Sequence, residues 1–213
     1  MKTDLQEVLR YLGYRDQSAG EDVLRLIYEC EDEMQSVARP RNVWRCFDIS
    51  IEGGIVRIGP INAKSEDLAA HLVGCNEAIL FAATLGAGVD YAMLRAQGGR
   101  NISRAAVMQA VCAAMIEQYC DECGMEMAAS AGARGLYLRP RYSPGYGDFS
   151  ISYQREVLDI LKGDKIGLSL TEGMMLVPTK SVTAVIGLSS QESGCVMGGC
   201  MNCKASDCIF RKG

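Results

Sequence analysis

The stretch "SRAAVMQAVCAAMIEQYCDECGMEM", residues 103–127, is apolar on nearly every side when read at 3.6 residues per turn. A helix of that kind cannot lie on a surface with one face in water. It must be packed on several sides, so the rest of the chain has to be built around it. The 213 residues are 48% apolar and 23% charged, enough to bury a core without crosslinks.

What surrounds that helix reads as a mixture. Leu5, Val8, Leu9 and Leu12 recur at helical spacing, and Gly13 stops the run. Residues 21–38 form a second amphipathic helix, ended by Arg39-Pro40. "VWRCFDISIEGGIVRIGP" alternates in period two around Gly53-Gly54, which predicts a hairpin. A short helix follows over 64–73, with Ser65 as its cap. "EAILFAATLG" reads as a buried strand, 89–97 and 153–161 as helices, and "MMLVPTKSVTAVIGLS" as two strand-like runs. Gly86 and Gly88 in "ATLGAGVD" lack the rest of a dinucleotide fingerprint and read as strand exit and helix start. No regular strand–helix alternation appears. The expected fold is α+β, with helices packed on a twisted, largely antiparallel sheet and an irregular Cys-rich C-terminal tail. The expected division is 1–40, 41–190 and 191–213.

Charge and hydropathy remove several functions. The net charge is -4 and no basic stripe is present, so nucleic acid is not an expected partner. Apolar runs are too short for a membrane span, and the N-terminus lacks the apolar core of a signal peptide. The expected location is cytoplasmic. His71 is the only histidine and reads as structural, which disfavours Ser-His or Cys-His hydrolysis.

The chemistry concentrates in two places. "RPRYSPGYGDF", residues 139–149, holds two prolines that fix φ and two glycines that permit close approach. Its arginines suit a carboxylate or phosphate, and its tyrosines offer flat faces. An ordinary surface turn has the same composition. The second place is the tail, where Cys195, Cys200, Cys203 and Cys208 run as C-x4-C-x2-C-x4-C. The first three have the spacing of plant-type [2Fe–2S] ferredoxins, whereas zinc sites usually show C-x2-C pairs. An iron–sulfur cluster is the first expectation, zinc the second, and free or paired thiols remain open. Cys120 and Cys123, together with Cys30, Cys46, Cys75 and Cys112, read as buried thiols, and Met174-Met175 as core.

"RYSPGYGDF" resembles the Arg-x-x-Pro-Gly-Tyr signature in the activation domain of cobalamin-dependent methionine synthase. "ILKGDKIGLSLTEGMMLVPTKSVTAVIGLS" is similar to the downstream part of that domain in order and spacing. The resemblance covers most of residues 40–190. It implies binding of S-adenosylmethionine and docking over a cobalamin-binding partner whose cofactor has been oxidised. It also implies reductive methylation there, with an electron donor such as a flavodoxin or ferredoxin. Carried over by position, Arg141 would hold the methionyl carboxylate. Ser143, Gly145 and Tyr146 would line the adenosine side, and Glu117 would meet the amine. No general base is then required, because the cobalt is the nucleophile.

Departures from that family are equally specific. The chain has no cobalamin-binding Asp-x-His-x-x-Gly signature, and the family's C-terminal tyrosine has no counterpart after Ser190. The expectation is a free-standing activator of a methionine synthase that lacks this domain, with the cobalamin only on the partner. A low-potential cluster in the tail would deliver or relay the electron. The alternative is an iron–sulfur or zinc activator, or a docking module, for another corrinoid methyltransferase, with no use of S-adenosylmethionine.

Overall fold

The computed structural model describes residues 3–14, 19–99 and 101–192. The elements run α1 (Leu5–Tyr11), α2 (Glu21–Val37), β1 (Arg41–Glu52), β2 (Ile55–Ile58), β3 (Ile61–Lys64) and α3 (Glu66–His71). They continue with β4 (Glu77–Thr84), α4 (Ala87–Gln97), α5 (Ile102–Gly132) and β5 (Tyr137–Leu138). Last come α6 (Tyr153–Leu161), β6 (Ser169–Leu170), β7 (Leu176–Val177) and β8 (Ser181–Ser189). The main sheet has the order β3-β2-β1-β4-β8-β5, and every pairing in it is antiparallel. The α+β expectation holds.

Strand β4 explains the layering. Ile79, Phe81 and Ala83 point into one apolar cluster, and Ala78, Leu80 and Ala82 into another. Successive side chains alternate between faces, so a strand apolar at every position demands cover on both sides. One face is covered by α1, α2, α4 and α5, and the other by α3, α6 and the loop before α6. Met108, Val111, Cys112 and Met115 of α5 are fully or almost fully buried between the sheet and the other helices. The all-round apolar pattern of the sequence is thereby explained.

Local signals fix the boundaries. Asp4, Ser65 and Asn101 cap α1, α3 and α5 by accepting from Gln6 N, Leu68 N and Arg104 N. Gly53 and Gly54 both have positive φ, as a two-residue turn between twisted strands requires. The long helix runs five residues beyond the sequence estimate, to Gly132, because Ala128, Ala129 and Ala131 favour helix. Strand β3 was missed, and its first residues follow Gly59-Pro60 so closely that the alternation is short. Met174-Met175 is not core: Met174 sits at φ 61 and Met175 is 65% exposed in the β6–β7 turn. Cys46 is only half-buried and donates to Glu77 Oε2 at 3.1 Å. Cys120 and Cys123 are buried, and burial pushes the Cys120 thiol up to about 12. Such a thiol is a poor nucleophile.

Candidate functional site

The loop over 139–149 leaves β5 and is tied to the sheet by a reciprocal pair. Tyr142 N–H donates to the Val185 carbonyl at 2.9 Å, and Val185 N–H returns to the Tyr142 carbonyl at 2.8 Å. Beyond that anchor the chain turns twice. Tyr146 N–H donates to Ser143 O at 3.1 Å, Gly145 N–H to Phe149 O at 2.7 Å, and Phe149 N–H to Tyr146 O at 2.9 Å. Gly145 (φ +98) and Gly147 (φ +51) allow this path. A Cβ on Gly147 would run into the Asp67 carboxylate and the Tyr142 hydroxyl.

The loop is also clamped from outside. Asp148 accepts from the Ser65 hydroxyl, from Glu66 N at 2.8 Å and from Asp67 N at 3.2 Å. These bonds, the Ser65 hydroxyl first, hold its carboxyl below the usual aspartate range. Asp148 thus serves as a second cap for α3 while closing the loop. His71 Nε2 donates to the Pro140 carbonyl at 2.9 Å, and its ring lies 4.9 Å from that of Tyr142. Burial lowers its pKa. The lone histidine therefore supports the loop.

Replacing Asp148 with Ala is expected to lower Tm by about 2–4 °C, a cap-sized effect for a chain of this length. The sign with pH follows from the depressed carboxyl. Its contribution is complete above about pH 4, where an unfolded Asp is ionised, and fades as pH falls through the lower folded value. Melting curves of the two proteins should converge in acid. A constant gap down to pH 2 would contradict this role.

Arg141 emerges from the loop against α5. Its Nη2 lies 2.7 Å from Glu117 Oε2 and 3.1 Å from Asp121 Oδ1. Its Nη1 is buried and meets no hydrogen-bond partner among the described residues. The side chain is 24% exposed, against 44% for Glu117 and 52% for Asp121. Burial works against the charge, but Cys120, Glu117 and Asp121 outweigh it and the Arg141 pKa is raised. From the other side α1 brings in Tyr11, whose phenol is raised by burial and then by the charge of Glu117.

The fold thus brings Arg141 and Glu117 into contact, with Tyr146 57% exposed on the same loop. The backbone groups of Ser143 and Gly145 are engaged inside the turn. Asp121 was not singled out for this site, although its place four residues after Glu117 puts both acids on one helix face. Cys195, Cys200, Cys203 and Cys208 lie outside the described residues. Among the described residues no group of three or more metal-ligating side chains converges. No helix among them is long and apolar enough to cross a membrane. Two concavities, one lined by Thr3, Asp4 and Glu31 and one by Trp44, Cys46 and Met127, do not border the loop.

These elements make an activation-domain-like fold. One solved structure it is similar to is the crystal structure of the MetH reactivation domain bound to AdoHcy, with a TM-score of 0.63 and 14% identity. That match covers 88% of this chain and 70% of the other. At such identity the likeness is one of fold. No family model and no curated protein matches the chain.

Proposed function

We propose that this chain binds S-adenosylmethionine through the 139–149 loop and α5, and so supports reductive methylation of a partner's cobalamin. The observation that carries the reading is the Arg141 guanidinium. It is held by Glu117, flanked by the exposed Tyr146, and keeps one buried nitrogen unpartnered among the described residues. A ligand with a carboxylate and an ammonium matches a guanidinium and a carboxylate set side by side. Arg141 would take the carboxylate in its planar fork, and Glu117 would face the ammonium. The Tyr146 ring offers a face to the adenine or ribose. The ligand would lie across an open surface, which leaves its methyl group reachable by a docked partner.

Cobalamin on that partner supplies the nucleophile that accepts the methyl group. This chain's own residues then bind and orient the donor and transfer no proton. The solved neighbour, a reactivation domain bound to AdoHcy, supports the same ligand class through its fold. A methionine synthase partner belongs to this reading.

Titration calorimetry with S-adenosylmethionine and S-adenosylhomocysteine tests it. Saturable one-to-one binding of both is expected, and no heat with either overturns the reading. The competing reading, electron transfer without S-adenosylmethionine, is favoured only by the C-x4-C-x2-C-x4-C spacing of the tail. Anaerobic purification with metal and sulfide analysis tests that tail. Iron with matching sulfide and visible absorption is expected. Colourless protein carrying stoichiometric zinc would end the electron relay.

A further inference from the structure

We infer that Asp121 is a second acid of the ligand site, and that Arg141, Glu117 and Asp121 work as an exchange device selective for an amino-acid zwitterion. The inference rests on the reading just given and deepens it.

The geometry has three parts. Glu117 and Asp121 stand one turn apart on α5 and both reach the same nitrogen, Nη2 of Arg141, at 2.7 and 3.1 Å. Two carboxylates on one guanidinium nitrogen leave a net negative charge over the patch. Yet Nη1 of the same guanidinium is buried without a partner among the described residues. The arginine is therefore over-supplied with anions on one side and short of an acceptor on the other. Both acids are about half exposed, so neither is locked in by the fold.

A ligand carboxylate approaching Arg141 from the open side competes with the acids for Nη2. As it does so, the acids lose their cation. An ammonium on the same ligand carbon replaces that cation for both at once. The ion pairs are exchanged, and a ligand carrying both signs leaves the net charge of the patch unchanged, whereas a carboxylate alone makes it more negative. A carboxylate without the ammonium would leave two uncompensated acids beside it. A nucleoside with neither group would gain nothing here. The site thus favours the amino-acid end of its ligand over a simple anion, and Asp121 raises the cost of binding an anion alone.

The test compares S-adenosylhomocysteine with its analogue lacking the α-amino group, on wild type and on Asp121→Asn. Asn keeps the side-chain volume and removes the charge. Affinity for S-adenosylhomocysteine is expected to fall about threefold to tenfold, as for a half-exposed charged contact. Affinity for the deaminated analogue should stay the same or rise. Asp121→Glu, which retains the acid, should bind S-adenosylhomocysteine within about twofold of wild type. Equal losses for both ligands would reduce Asp121 to a prop for Arg141, and unchanged binding of both would remove it from the site. Either result overturns the inference and leaves the proposed function standing. Failure of the wild type to bind S-adenosylhomocysteine would remove the proposed function and this inference together.

Discussion

Replacing Arg141 with Ala should weaken binding of S-adenosylhomocysteine by about tenfold to a hundredfold, with the fold retained. Charge-assisted hydrogen bonds contribute about 1.5–3 kcal/mol each, and the guanidinium is the cation that contacts both acids of the patch. Its loss would also leave Glu117 and Asp121 facing each other's charge, which further disfavours an incoming carboxylate. Stability should change little, because both acids are half exposed and become solvated once the pair is broken. Arg141→Lys should recover only part of the affinity: an ammonium restores the charge but not the planar fork. Calorimetric titration alongside a urea denaturation curve separates the two effects. An Ala variant that binds as tightly as wild type would take Arg141 out of the site.

That charged patch could not be read from spacing alone. Arg141 and Glu117 are 24 residues apart, and their contact exists because α5 turns back through β5 onto the sheet edge. The family resemblance assigns the two residues to opposite ends of one ligand's amino-acid group and does not predict the ion pair between them. Asp121 shows the opposite case. Its position four residues from Glu117 puts it on the same helix face, a local signal that spacing alone supplies. Where physics is local, the sequence was legible. Ser65 caps α3 as expected, Gly53-Gly54 makes the hairpin turn, and the unbroken apolar run of β4 is buried on both faces. Elements without a local period were missed. Strands β5 and β6 have two residues each, too few for any alternation to register: β5 exists by pairing with the distant β8, and β6 by pairing with β7, which falls in an expected strand-like run. Met174 and Met175 were misassigned for the same reason: an apolar pair reads as strand interior, whereas the turn between β6 and β7 holds it in the open.

Phe149→Ala should cost about 3–5 kcal/mol of stability, the range for truncating a buried aromatic ring that leaves a cavity. Phe149 is 1% exposed, within the cluster formed by Val157, Leu158 and Leu80. Its ring stacks on Tyr153 at 5.3 Å and lies 6.3 Å from Tyr142. It is also the point where the candidate loop joins the core. Its carbonyl accepts from Gly145 and its N–H donates to Tyr146, so the residue that fills the cluster also closes the turn carrying Tyr146. Removing the ring should loosen both. The variant should lose ligand affinity as well as stability, but less affinity than Arg141→Ala, because the guanidinium is anchored separately on α5. Phe149→Leu keeps most of the volume and should cost less, about 1–1.5 kcal/mol, with binding near wild type. Urea denaturation at equilibrium measures the first effect and calorimetry the second. If the Ala variant unfolds within about 1 kcal/mol of wild type, the ring is not a core anchor, and the loop must be held by its polar ties, among them Asp148, His71 and the Tyr142–Val185 pair.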